Sequence, residues 1–225
     1  VLGSRGLGDV YKRQAKHGTP VLISDFILVI GLNMLSVIMG RMGSEMVAAN
    51  SINTVLQQFC TVFLMGVANA SGVIIGNTVG AKEYDKAQDY GKTFLALAVL
   101  IGCFSGLLIF SLKNVMIGFY DVAGSTKDIA YQLMNTTSII VVFSAVGSTL
   151  TKGVLRAGGD TKFLMKADVL FLWLLAIPLG FIAGVVLNLP AGIVFFCLKI
   201  DEVIKALWCT KRLLVDKWIK NVTLS

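Results

Sequence analysis

Residues 46–81 read MVAANSINTVLQQFCTVFLMGVANASGVIIGNTVGA, and this stretch contains no charged residue. A helix needs about 20 mostly apolar residues to cross the hydrocarbon core of a bilayer. A surface helix of a soluble protein keeps charged and polar residues on its outer face. The stretch therefore predicts a membrane-spanning helix rather than a helix of a soluble domain.

The composition of the whole chain indicates the same environment. Of the 225 residues, 56% are hydrophobic and 15% are charged, whereas soluble domains carry about a quarter charged residues. Mean hydropathy is +0.79. These values argue against a soluble enzyme, a disordered chain and a coiled coil, and they favour an integral membrane protein.

Apolar runs along the chain predict six spans and thus an all-α integral membrane fold, a six-transmembrane-helix bundle over residues 15–225. The sixth run is short, because charged residues follow soon after it begins. The break at 188–190 separates the last two spans, since proline cannot continue a helix. The predicted spans are 18–40, 46–81, 93–112, 129–151, 167–187 and a last one from 190.

Basic residues divide unevenly between the two sides of this bundle. Thirteen Lys and Arg residues fall on the side that carries both ends, and three fall on the other side. Cytoplasmic loops of membrane proteins carry this excess. We expect a multi-pass protein of the cell (inner) membrane with both ends cytoplasmic. The net charge of +7 then reflects loops that face membrane lipid, and no nucleic-acid partner is expected.

The first fourteen residues, VLGSRGLGDVYKRQ, read as a non-native segment. They lack an apolar core and a small-residue cleavage site, so they do not form a signal peptide. They resemble translated sequencing-adapter read-through, in which case an unknown length upstream of Ala15 is missing. The alternative is a genuine basic cytoplasmic linker.

Motifs for catalysis, nucleotide binding and metal binding are lacking in this sequence. It has one histidine, His17, which excludes a His-based metal site, and it has no P-loop, nucleophile elbow or HExxH. We expect no enzyme activity and no cofactor. The four cysteines show no metal or redox spacing and are predicted to be free; they are Cys60, Cys103, Cys197 and Cys209.

One acidic residue lies in the first predicted span. Asp25 is about one turn inside the apolar run, where a carboxylate is costly unless it faces protein or water. It is a candidate carrier of a proton or sodium ion. The alternative is a structural carboxylate that is hydrogen-bonded near the interface.

Polar side chains form a second group of candidates. Asn50, Asn53 and Gln57 recur at steps of three and four residues and thus share one helix face. With Asn33 and Asn135 they are predicted to line a solute cavity. Any one of them could instead bond a neighbouring helix, but the stripe in the second span favours the cavity.

The last span contains charges spaced for local pairing, Lys199 with Glu202 and Asp201 with Lys205. We interpret them as a helix end that rises from the membrane; the alternative is an ion relay inside the bundle. Trp218, on the basic tail, is expected on the membrane surface.

An ordered set of motifs along 15–225 resembles the C-terminal lobe of the multidrug and toxic compound extrusion (MATE) family. The most specific is LRAGGDTKF at 155–163, which is similar to the family's loop between its tenth and eleventh helices. The opening GTPV at 18–21, the turn GRMG at 40–43 and the D…W…P pattern of Asp168, Trp173 and Pro178 also match.

The resemblance implies a twelve-helix antiporter of two six-helix lobes, in which alternating access exposes a central site. Small organic solutes, expected to be cationic, would leave as protons or sodium ions enter, and the partner would be a missing N-terminal lobe. Some members carry acidic cation ligands where this chain has Leu28 and an acid-free fourth span. In the 155–163 loop, Arg156, Gly158, Gly159 and Asp160 are assigned a structural role, with Asp160 expected to pair with Arg156.

Three other functions are weighed against the antiporter. A lipid-linked oligosaccharide flippase of the same superfamily would need a basic inner cavity to hold pyrophosphate, and Lys199 is the one basic residue clearly inside an apolar run. A non-transport membrane scaffold subunit would need no cavity. An intramembrane enzyme ranks last, because the sequence has no catalytic constellation.

Overall fold

A computed structural model describes residues 26–215 and 218–219 of the chain, with the backbone alone at 161–163. The predicted non-native segment at 1–14 and the candidate carboxylate Asp25 lie outside these residues. The described part is helical and contains no strand. Its helices are α1 (Phe26–Arg41), α2 (Ser44–Gly80), α3 (Tyr84–Gly118), α4 (Gly124–Ala157), α5 (161–186), α6 (Ala191–Leu198) and α7 (Ile200–Leu214).

Four of these helices are long and apolar enough to cross a membrane, namely α2, α3, α4 and most of α5. Helix α2 has 37 residues and is therefore about 55 Å long, which exceeds a hydrocarbon core of about 30 Å. The predicted all-α membrane fold is confirmed. The observed helices α2, α3 and α4 extend past the apolar runs, because polar residues at a helix end still complete the backbone hydrogen bonds.

The last helical segment of the bundle is divided into α6 and α7. Asn188 adopts a left-handed φ of 49°, and Pro190 caps the start of α6, which places the break where Asn188-Leu189-Pro190 predicts it. Lys199, with φ −113° and ψ 8°, then interrupts the helical segment between α6 and α7. The interruption separates the apolar α6 from the charged α7.

Helix α4 is the most enclosed of the four long helices. In its most apolar window 61% of residues are buried inside the protein, compared with 28% for α2 and α3. The outer helices expose large apolar side chains such as Phe59 and Phe104. Burial inside a bilayer or against a second lobe would remove these side chains from water.

Glycines mark close helix crossings within the bundle. A Cβ on Gly102 would lie 2.9 Å from Val142 Cα, so α3 and α4 approach closely there. Gly72 lies beside Gly153 of α4, with 3.6 Å between the Cβ position and Gly153 Cα. Small residues allow such contacts in membrane helices.

The C-terminal Trp218 is fully buried, so its expected position on the membrane surface is wrong. Its indole Nε1 donates to Gln88 Oε1, and the ring packs against Gly158 and Gly91. The two glycines leave room for a large ring, and Gln88 offers the acceptor that a buried indole needs. The four cysteines are free, as predicted.

Candidate functional site

A cavity of about 490 Å³ lies between α1, α4, α5 and α7. One wall is apolar and is formed by leucines of α1 together with residues of α5. The α4 wall carries the hydroxyl groups of Ser144, Ser148 and Thr151. The apolar lining residues are Leu28, Leu32, Leu35, Leu164, Met165 and Leu172.

Seven charged residues also line this cavity. Three of them are acidic and four are basic, which is an unusual concentration for the interior of an apolar bundle. The acidic residues are Asp168, Asp201 and Glu202, and the basic ones are Lys152, Arg156, Lys199 and Lys205.

Two ion pairs join four of these charges. Lys199 Nζ lies 3.1 Å from Glu202 Oε1, which is the local pair expected from the sequence. Lys205 Nζ lies 3.0 Å from Asp168 Oδ1 and thereby connects α7 to α5. These side chains are 17–28% exposed. These charged residues line the cavity; the interpretation of them as a helix end that leaves the membrane, and the alternative of an ion relay, both stay predictions.

Two carboxylates of the lining, one of them the partner of Lys199, each have an oxygen with unused hydrogen-bonding capacity. Asp201 Oδ1 and Glu202 Oε2 are buried and have no hydrogen-bond partner among the described residues. A buried carboxylate oxygen without a partner costs free energy. A bound proton or cation would remove that cost.

The two remaining cations of the lining take no part in these ion pairs. Lys152 and Arg156 are exposed, while the other charged lining residues are partly buried. Lys152 Nζ contacts Met65 Sδ at 3.7 Å. Neither cation forms an ion pair with another residue of the described part of the chain.

A π-helical turn in α4 places part of this site. The turn spans Thr149–Val154 and includes Thr151 and Lys152, which line the cavity. On its other side Gly153 packs against α2, where a Cβ would lie 2.5 Å from Ala68 O. Such turns often occur at functional sites, since the extra residue redirects neighbouring side chains.

The polar residues predicted from the sequence are not part of this cavity's lining. Asn53 is buried, and neither amide atom has a hydrogen-bond partner in the described structure; Asn50 and Gln57 are half-buried. The exposed Asn33 donates to Val29 O at 2.8 Å, and Asn135 Oδ1 accepts from Lys113 Nζ at 2.6 Å. A solute wall built from these residues stays a prediction.

The loop at 158–160 forms a tight turn between α4 and α5. Gly159 has φ 86°, a conformation that favours glycine. Asp160 is fully buried and accepts from Arg212 Nε at 2.8 Å. The expected ion pair with Arg156 is replaced by this one, because the turn ends the helix before the two residues can be one helical turn apart.

Sequence reasoning missed two lining residues, Asp168 and Lys205, as a pair. They lie on different predicted helices, and the sequence analysis paired Lys205 with Asp201 instead. Opposite charges in two such helices are the signal that could have found them, because buried charges in membranes pair with one another.

The helices and the cavity together define a multi-pass membrane protein with a charged interior site. The MatE family profile matches residues 20–182, and the chain belongs to the MatE (MATE) family. Among its relatives, the probable multidrug resistance protein NorM of Listeria innocua is 28% identical over 153 residues, which cover 65% of this chain and 32% of that protein. The multidrug resistance protein NorM of Aliivibrio fischeri is 24% identical over 186 residues, covering 82% and 40% respectively.

Solved structures show the same fold. A MOP superfamily transporter from Pyrococcus furiosus matches with a TM-score of 0.80 at 17% identity, over 92% of this chain and 45% of that one. An outward-facing multidrug resistance MATE family transporter matches with a TM-score of 0.75 at 16% identity, over 93% and 48%. The chain spans less than half the length of these proteins.

Proposed function

We propose that this chain is the C-terminal lobe of a secondary antiporter that exports small organic solutes in exchange for protons or sodium ions. The observation that carries the proposal is the interior cavity, which contains carboxylate oxygens that lack hydrogen-bond partners among the described residues. Ionisable groups inside membrane bundles commonly mark ion pathways.

We assign the coupling role to Asp201 together with Asp25. Asp201 lines the cavity, and the ion pairs of Lys199 and Lys205 are made with other carboxylates. Asp25 lies in the first span predicted from the sequence, three residues before the cavity-lining Leu28. Binding of a cation changes the charge of this site, and it shifts the transporter only if its affinity differs between the inward- and outward-facing states.

The solute is proposed to meet the lobe at two places, the charged cavity and the polar stripe of Asn50, Asn53 and Gln57. Its partners would be membrane lipid and an N-terminal lobe of the same protein. The protein would act in the cell (inner) membrane with both ends in the cytoplasm and without a cofactor. The uneven distribution of Lys and Arg supports this orientation.

Transport by the complete protein tests the proposal. The protein is reconstituted into liposomes, and export of a permanently cationic dye is driven by an imposed proton or sodium gradient. Asp201→Asn should abolish gradient-driven export. Asp128→Asn, an exposed site that does not line the cavity, is the matched control and should transport normally. Wild-type rates in Asp201→Asn would remove Asp201 from the mechanism.

A lipid-linked oligosaccharide flippase is the second candidate. Four basic residues line the cavity, and these supply the basic interior that a pyrophosphate would need. Three acidic residues offset them, so the antiporter remains the preferred function. Solute-stimulated proton or sodium flux in the reconstituted protein would favour the antiporter over both the flippase and a scaffold subunit.

A further inference from the structure

Two buried side chains of the long helices carry polar atoms that the charged cavity does not use. Asn53 of α2 and Thr137 of α4 are each 1% exposed, and neither lines the cavity. Asn53 Oδ1, Asn53 Nδ2 and Thr137 Oγ1 have no hydrogen-bond partner in the described part of the chain. A buried polar atom without a partner costs free energy, and such atoms are usually satisfied by protein or by ordered water.

The helices α2 and α4 run in the same direction and contact each other at two places. Near the start of both helices, Ser125 Oγ donates to Glu45 Oε1 at 2.8 Å. Farther along, a Cβ on Gly153 would lie 2.5 Å from Ala68 O. These two contacts fix which residues of the two helices lie at the same level.

Asn53 and Thr137 lie at the same level of this helix pair. Asn53 is eight residues beyond the first contact and fifteen before the second, and equal steps along α4 bracket the interval 133–138, which includes Thr137. Both residues belong to the buried faces of their helices. Asn53 is also eighteen residues, or five helical turns, before Ser71, which packs against Gly153 of α4. Asn53 therefore faces α4.

The Asn53 amide and the Thr137 hydroxyl bond neither each other nor their own helices. A helical threonine commonly donates to the carbonyl one turn earlier, as the neighbouring Thr136 does to Gln132 O at 3.0 Å. Thr137 makes no such bond within the described residues. The two side chains thus share one requirement, which is a small group between α2 and α4 that both donates and accepts hydrogen bonds.

Water has the chemistry that these atoms require. The amide and the hydroxyl are neutral, and each offers a donor and an acceptor. A sodium ion would leave the Asn53 Nδ2 donors without an acceptor, and an anion would leave Asn53 Oδ1 without a donor. A buried water typically makes about three hydrogen bonds to buried polar groups that would otherwise be unsatisfied.

We propose that Asn53 and Thr137 hold a buried water that bridges α2 and α4 inside the bundle. Its hydrogen bonds go to the Asn53 amide on one side and to the Thr137 hydroxyl on the other. The site is separate from the charged cavity and does not depend on the transported solute. It leaves the solute contact proposed for the polar stripe to the half-buried Asn50 and Gln57.

Radiolytic labelling of the complete protein tests the site, because an X-ray pulse converts a bound water into a hydroxyl radical that oxidises the nearest side chain. Met134 is fully buried and lies one helical turn from Thr137. It should be oxidised in the wild-type protein even when a scavenger removes radicals from the bulk solvent. In Asn53→Leu/Thr137→Val, its oxidation should fall to the level of Cys209, which is fully buried in a separate core cluster.

Thr136→Val is the matched control variant. It removes the same hydroxyl from the adjacent residue, where Oγ1 donates to Gln132 O and Gly192 O, and Met134 oxidation should stay at the wild-type level. Thr137→Val alone keeps the shape of the side chain and should also weaken the labelling. The test therefore does not depend on whether the double variant folds, which thermal unfolding establishes.

Thermal unfolding also provides a second readout. Each single variant, Asn53→Leu or Thr137→Val, leaves the water or the other side chain with an unpaired polar atom, whereas the double variant removes both polar groups. The double variant should therefore lose less stability than the sum of the two single losses.

Three results would overturn the proposal. The first is wild-type oxidation of Met134 no greater than that of Cys209. The second is unchanged Met134 oxidation in Thr137→Val and in the double variant. The third is additive stability losses for the two single variants, which would show that Asn53 and Thr137 share no ligand.

Discussion

Arg212 Nε lies 2.8 Å from Asp160 Oδ2, and this ion pair ties α7 to the turn between α4 and α5. The Asp160 side chain is fully buried, and the Arg212 side chain is 26% exposed. Removal of one partner of a buried ion pair is usually destabilising. The pair therefore stabilises the packing of α7 against this turn.

Arg212→Gln should lower the stability of the complete protein by about 1–3 kcal/mol, since it removes a charged hydrogen bond to a buried carboxylate. Thermal unfolding in detergent measures the loss. The double variant with Asp160→Asn should lose less than the sum of the two single losses, because the residues act as one pair. Additive losses would show that the pair does not couple.

Gly153→Ala should destabilise the crossing of α2 and α4. The added methyl would lie 2.5 Å from Ala68 O and would clash with Ser71 Oγ, and overpacking costs about 1–3 kcal/mol. Gly80→Ala is the control, because no heavy atom lies within 4 Å of its Cβ position. The unfolding temperature should fall for Gly153→Ala and should stay at the wild-type value for Gly80→Ala. Equal unfolding temperatures for the two variants would contradict the close contact between α2 and α4.

The thermal stability of the protein should depend on the Lys205–Asp168 ion pair. Lys205→Met leaves Asp168 without its ion-pair partner in a site that is 20–28% exposed, and we expect a loss of about 1–3 kcal/mol after allowing for solvent screening. The exchanged variant Lys205→Asp/Asp168→Lys should recover part of the thermal stability. If the exchanged variant is less stable than either single variant, the ion pair alone does not account for the stability, and each site requires its own residue.

Trp218→Ala should cost about 3–5 kcal/mol, the usual loss for a fully buried large aromatic residue. Trp218→Phe keeps most of the packing against Gly158 and removes the hydrogen bond to Gln88, so its loss should be smaller. Trp208, which is 39% exposed, provides a comparison site. Equal effects of Trp208→Ala and Trp218→Ala on thermal unfolding would contradict the buried position.

Local sequence features predicted the parts of the structure that depend on neighbours in the chain. The uncharged run at 46–81 predicted α2, and the Asn-Leu-Pro sequence at 188–190 predicted the start of α6. The Lys199–Glu202 pair followed from a spacing of three residues. The site was harder to predict, because the polar stripe of α2 has the periodicity of a cavity wall and yet does not line the cavity described above.

The sequence by itself predicted an all-α membrane protein, because a long apolar segment can cross a bilayer as a helix that satisfies its own hydrogen bonds. Its ordered motifs carried the resemblance to the MATE family. The tertiary structure decided which charged residues form ion pairs. Asp168 is 37 residues from Lys205, and Asp160 is 52 from Arg212; no spacing rule links positions so far apart. Their pairing depends on how α5 and α7 pack and on the turn at Gly159, which only the folded chain brings about.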